Sequence, residues 1–274
     1  MNLARQIFRA IEALTGTGTT LVVPPKPEAQ APDGPDDPND SEKDAPRKRV
    51  VAAGQISQPW HVGAFAPASI TLPGVRAGDA IIVAGVYWGD LRRGARTAPT
   101  DRNGRLVAAI DQGPTIVGAA KPPVFAQIYH ELDAAPGTHV IVPPHLGGVA
   151  GDGTLYVLQV RGLARSGSLR AIGHSRIVSM AIRDVSVMLG AGAAEPGDLI
   201  VAIGGNDNTT CLDSAGFTHP PPGWIAAGVQ NNAAENVPSE ICYRVATEAG
   251  RHPVSWSWVD PTVNVAVAAI AAFR

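Results

Sequence analysis

Hydrophobic and polar positions fall into three regimes along the chain. Over residues 3–14, Leu3, Ile7, Ile11 and Leu14, with Phe8 beside them, share one helical stripe, while Arg5, Arg9 and Glu12 fall elsewhere. The spacing predicts a short amphipathic helix that is marginal alone in water. It reads either as an anchor that orders on a partner surface or as a frayed terminus. Next comes "PPKPEAQAPDGPDDPNDSEKDAPRKR", residues 24–49, with almost no large apolar side chain. Such a stretch buries too little surface to offset chain entropy and reads as a disordered acidic tether, its closing Arg47, Lys48 and Arg49 a solvated patch.

From about residue 55 the pattern is that of strands. "ASITLPGVRAGDAIIVAGVYW" (68–88) offers a strand, a turn at Pro73-Gly74, a second at Ala77-Gly78-Asp79, and then a buried apolar run. "TLYVLQVRGL" (154–163) and "VNVAVAAIAAF" (263–273) have strand length and β-branched residues. In "SRIVSMAIRDVSVML" (175–189) the spacing is mixed, and β-branched content favours strands over a helix. "EICYRVATEAGRHPVSWSWVD" (240–260) alternates twice around Gly250 and reads as a hairpin. The organisation expected is an anchor peptide over 1–23, a Pro/Asp-rich linker over 24–54 and a β domain over 55–274.

That domain contains a repeat. "RAGDAIIVAG" (76–85) matches "EPGDLIVAIG" (195–204), placing Gly78 on Gly197 and Asp79 on Asp198. "QIYHELDAAPGTHVIV" (127–142) lies over "EICYRVATEAGRHPVS" (240–255) without a gap, with Ile128 on Ile241, Leu132 on Val245, Gly137 on Gly250 and His139 on His252. "TLYVLQVRGL" then lies over "VNVAVAAIAAF". Three blocks recurring in one order define halves of roughly 55–165 and 166–274, too widely spaced for solenoid or propeller units of ~20 to 50 residues. Half-buried strands need a partner face, so the expected fold is an all-β, jelly-roll-like sandwich built from two similar halves.

Composition agrees. In 274 residues, 45% hydrophobic content supplies a core, while 17% charged residues, 30 Gly and 24 Pro indicate short elements joined by punctuated turns. A formal net charge of -2 provides no basic field for phosphates, which argues against a nucleic-acid partner. Arg5, Gln6, Arg9 and Glu12 interrupt any signal-peptide apolar region, and no stretch approaches a membrane span. Synthesis in the cytoplasm without a signal peptide, and no membrane insertion, are therefore expected. Cys211 and Cys242 lack CxxC spacing and read as buried reduced thiols.

A Gly-Asp turn into a strand, the turn Asp101-Arg102-Asn103-Gly104, a Tyr-containing hairpin and a second Gly-Asp turn follow one another, then "PPPGW" (220–224), "YRVATEAG" (243–250) and the closing "AAIAAF". Over roughly residues 55–274 this order resembles β-sandwich domains of tailed-phage structural proteins: tail-fibre, minor-tail and head-spike modules, including those of gene transfer agents. The resemblance implies a non-enzymatic virion component at the particle surface, a homo-oligomer whose partners are capsid or tail proteins. Leu3, Ile7, Phe8, Ile11 and Leu14 would then form the attachment stripe, and a host capsular polysaccharide would be a receptor.

Candidate chemistry is sparse. GxSxG, P-loop, HExxH, GxGxxG and complete EF-hand patterns are missing from the sequence. In "GGNDNTTCLDSAG" (204–216), Asp207 and Asp213, with Asn206 and Asn208, offer oxygen ligands for Ca²⁺, although the same residue types are ordinary turn formers. Beyond that ion no cofactor is expected. Trp88 and Trp224 adjoin loops, where an indole can cover the C–H face of a sugar. They support the alternative of a lectin-like module recognising a bacterial surface polysaccharide. Trp256 and Trp258 share one strand face and read as packing. Glu131 and Glu240 lie on strands that the repeat relates, and a sugar-cleaving pair would need them in one cleft. His139 and His252 read as satisfied hairpin histidines.

Overall fold

A computed structural model describes residues 19–20, 48–61, 69–89, 98–111, 124–144, 150–179, 181–190, 193–207, 221–230, 238–258 and 265–274. The described residues are all-β. The strands are β1 (Thr19–Thr20), β2 (Arg49–His61), β3 (Ile70–Val75), β4 (Ala80–Gly89), β5 (Thr100–Asp101), β6 (Val107–Asp111), β7 (Val124–Glu131) and β8 (Gly137–Val142). They continue with β9 (Ala150–Arg161), β10 (Leu169–Val178), β11 (Asp184–Val187), β12 (Leu199–Asn206), β13 (Ile225–Gln230), β14 (Ser239–Val245), β15 (Val254–Ser257) and β16 (Val265–Phe273). All pair antiparallel, in four sheets with orders β1-β2-β9-β4-β7-β6, β3-β8-β5, β10-β16-β12-β14-β13 and β11-β15.

Side-chain alternation sorts the core into three layers between these sheets. Ile82, Ala84 and Val86 of β4 meet Leu199, Val201 and Ile203 of β12 and Val267, Ala269 and Phe273 of β16 in a central core. Their neighbours Ile81, Val83 and Tyr87 point the other way, onto Ile70, Leu72 and Ile141 of β3 and β8. On the far side Ile200, Ala202, Ala268 and Ile270 pack against Val185, Val187, Val254 and Trp256 of the β11-β15 pair. The two large sheets thus lie face to face, each backed by a small sheet. Their inner strands are buried on both faces, which is why β4, β12 and β16 are near-continuous apolar runs rather than alternating ones.

The recurring sequence blocks adopt the same local geometry. Asp79 accepts the Arg76 N–H on Oδ2 at 3.1 Å and returns its own N–H to the Arg76 carbonyl at 3.0 Å. Asp198 does the same with Glu195, at 2.8 and 3.0 Å. Gly78 and Gly197 supply φ of 86° and 87° to these turns, a conformation with little cost only for glycine. Carbonyls of Asp79 and Asp198 then accept the N–H of Ala134 at 2.7 Å and Ala246 at 2.8 Å, so each turn is clamped to the chain leaving β7 or β14.

Three expectations need correction. Apart from β1, whose Thr19 and Thr20 pair with Ile56 and Gln55 of β2, the strand pattern begins at Arg49, not at 55: Val50 and Ala53 lie opposite Val160 and Leu158 of β9, and Ala53 is buried. Residues 49–54 therefore belong to the folded body rather than the linker. Residues 240–260 are not a hairpin, because β14 pairs with β12 and β13 whereas β15 pairs with β11. The segment crosses from an inner to an outer sheet, and so does its counterpart through β7 and β8. The expected sandwich, two packed sheets, also has too few layers: the described residues form four sheets. Within residues 175–189, 175–178 belong to β10 and 184–187 form β11, strands as β-branched content suggested. The stripe Leu3, Ile7, Phe8, Ile11 and Leu14, and residues 24–47 of the tether, lie outside the described residues.

Candidate functional site

A buried polar cluster forms where β5, β7 and β8 converge. The Asp101-Arg102-Asn103-Gly104 turn leaves β5 with Asp101 Oδ1 accepting the Asn103 N–H at 3.0 Å, the side-chain-to-backbone bond that suits Asp to the start of a turn. The Arg102 N–H donates to the Val140 carbonyl at 3.2 Å, and the Asn103 side-chain amide donates to the Thr138 carbonyl, pinning the turn to β8. This aims Asp101 Oδ2 at His139 Nδ1, 2.5 Å away, with both side chains almost fully buried. The other ring nitrogen, Nε2, lies 2.8 Å from the Ala135 carbonyl.

Glu131, the last residue of β7, completes the group: one ligand atom from each of Asp101, Glu131 and His139 falls within 4.8 Å of the others. Glu131 is 8% exposed, and its Oε2 is buried with no hydrogen-bond partner. Its carboxylate lies directly against Gly104, where a Cβ would overlap both oxygens. Burial raises the Glu131 pKa, as does the neighbouring Asp101 charge, against the opposing pull of His139 and the Arg105 N–H. Burial alone would lower the His139 pKa, yet the Ala135 carbonyl and the two carboxylates outweigh it and raise it. Both ring nitrogens face acceptors, the arrangement of an imidazolium.

The sequence-derived candidates are scattered by comparison. Trp224, at the entry to β13, is 5% exposed and packs into the core behind the five-stranded sheet. The Arg244 guanidinium sits 5.8 Å from its ring centroid, so the indole presents no open plate. Trp88 lies near the end of β4, opposite Val124 and Asp152; its side chain lies outside the described residues. Asp207 closes a two-bond bridge to β16, accepting the Val265 N–H at 2.9 Å and donating its own N–H to the Val265 carbonyl at 3.0 Å. Asp213 lies outside the described residues.

Trp256 and Trp258 are buried core residues, their indoles donating to Glu240 Oε2 at 3.0 Å and to the Ile182 carbonyl at 2.7 Å. Glu131 and Glu240 consequently serve different partners. His252 keeps the backbone bond of its counterpart, with Nε2 3.0 Å from the Glu248 carbonyl. What sequence reading missed is the meeting of Asp101 with His139 and Glu131. The turn and the histidine were both visible, but they lie 38 residues apart and are joined only by the β5–β8 pairing. No family model matches the chain, and neither does any curated protein or solved structure.

Proposed function

We propose that the chain is a non-enzymatic structural component of a phage or phage-like particle, a head spike or fibre subunit attached through its N-terminal segment, with two jelly-roll-like halves as its body. The strand orders support the architecture. In the first half β2 neighbours β9, β9 neighbours β4 and β4 neighbours β7, facing β3-β8-β5; in the second, β10-β16-β12-β14 faces β11-β15. A jelly roll places its first strand beside its last in this manner, by folding two Greek keys into two sheets. Each half departs from that scheme in one strand, β6 joining β7 and β13 joining β14 instead of the small sheets.

The observation that carries the functional reading is the duplication itself. The acids and imidazoles that recur in both halves are spent on holding turns: Asp79 and Asp198 on their own loops, His139 and His252 on backbone carbonyls four residues earlier. Repetition has been used to build a stiff body, as a load-carrying module requires. The test is to delete residues 1–47 and follow incorporation into purified particles on a density gradient. The full-length chain should sediment with particles, and the truncated chain should fold yet remain at the top of the gradient. Unchanged incorporation sinks the anchor, and a full-length chain that never accompanies particles sinks the whole reading.

A further inference from the structure

We propose that Asp101, Glu131 and His139 form a binding site for one divalent transition-metal ion of the zinc class. The ion would take Asp101 Oδ2, Glu131 Oε2 and His139 Nδ1, and solvent would fill the remaining position. An imidazole nitrogen with two carboxylates is a donor set for Zn²⁺, whereas Ca²⁺ prefers six to eight oxygens. The Ala135 carbonyl holds Nε2–H and so presents Nδ1 to the cluster, which is how a ligating histidine is normally oriented. Glu131 supplies the independent sign of a ligand: its Oε2 is buried without a hydrogen-bond partner, in a carboxylate that has an oxygen within 4.8 Å of the two other donors.

The dimensions suit an ion after a small rearrangement. Zinc–oxygen and zinc–nitrogen bonds of about 2.0–2.2 Å put neighbouring ligand atoms about 3.4 Å apart in a tetrahedron. Asp101 Oδ2 and His139 Nδ1, now 2.5 Å apart, would separate by about 1 Å, and Glu131 would close from within the 4.8 Å limit. The donor set suits a dication in charge as well, since two carboxylates and a neutral imidazole nitrogen around it would leave the buried site without net charge. Arg102, Asn103, Gly104 and Arg105 are exposed, so an ion can enter over the turn.

The second half provides an internal control. His252 occupies the place of His139, but Arg244 stands where Glu131 stands, since Ile81 opposes Glu131 in the β4–β7 pairing and its counterpart Ile200 opposes Arg244 in β12–β14. Among the described residues, no strand of that half corresponds to β5 and none stands in the place of Asp101. A cation would find a guanidinium there.

The experiment uses the full chain after dialysis against a chelator. Zn²⁺ is titrated calorimetrically and Co²⁺ by visible absorption. We expect about one ion per chain and a rise in Tm with Zn²⁺. Glu131→Gln and His139→Gln should each weaken Zn²⁺ binding at least ~tenfold and abolish the Tm shift, while His252→Gln should bind like wild type. Should His139→Gln fail to fold, the near-isosteric Glu131→Gln decides alone. Overturning results are the absence of saturable Zn²⁺ or Co²⁺ binding, or binding that survives Glu131→Gln.

Discussion

Individual carboxylates show how the chain turns sequence into rigidity. Asp79 is buried, and burial on its own would raise its pKa; the Arg161 guanidinium, the Arg76 N–H and the Gln159 amide outweigh this and hold it below the usual value. A folded-state pKa below the unfolded one means stability that is fully present above the ordinary aspartate value of 3.8 and lost as pH falls through the folded value. Asp79→Asn should therefore cost about 2–3 kcal/mol at pH 7 in urea unfolding, with a smaller difference from wild type at pH 3. At Cys242 burial, assisted by the Glu240 carboxylate, pushes the thiol well above its usual value. In a Cys211→Ala background, Cys242 should resist a maleimide at pH 8 in the native state and react at once in denaturant. Rapid native labelling would contradict its place in the core. At this scale the sequence was least legible. "DRNG" announced a turn, but nothing local said that its aspartate would meet a histidine of another strand, since that contact depends on sheet pairing. Trp224 misled for a related reason: adjacency to a loop does not settle which way an indole points.

Among elements, legibility followed burial. β4, β12 and β16 could be read because strands covered on both faces leave unbroken apolar runs, which Gly-Asp turns introduce at β4 and β12. The crossing segments could not, since the alternation of β14 and β15 reports that each has one or two buried faces but not that they lie in different sheets. The turns that precede β4 and β12 offer a paired test. Gly78→Ala and Gly197→Ala each force a side chain into positive φ, and each should cost about 1 kcal/mol or more, with similar values because the two turns share one geometry. Thermal melts of both variants check this; a large cost at one site and none at the other would show that the halves are not mechanically equivalent.

For the whole molecule, the central core decides how the chain unfolds. Ile82, Val86, Leu158, Val201, Ile203 and Phe273 pack in one cluster drawn from both halves, so neither half keeps its inner sheet covered when alone. Residues 48–165 or 166–274 expressed separately should lack a cooperative melt or associate, while the full chain should lose far-UV circular dichroism and tryptophan fluorescence in one coincident transition. Two separate transitions would mean that the inner sheets are less dependent on each other than their burial implies. Duplication was legible because matching turns survive as matching letters. The number of sheets was not, because period-two alternation counts faces within a strand and says nothing about how many layers are stacked.

The meeting of the inner sheets has a further meaning. Ala80, Ile82 and Ala84 on one side and Leu199, Val201 and Ile203 on the other occupy corresponding positions of the repeat, so the halves touch through equivalent surfaces. That is the geometry of a homodimer whose two-fold axis has been absorbed into a single polypeptide. A true dimer must alter both copies of a residue at once, whereas a fused pair can change one and keep the other. Glu131 and Arg244, opposite in charge at equivalent places, are what that freedom permits: one side can gain a property while its twin remains scaffold.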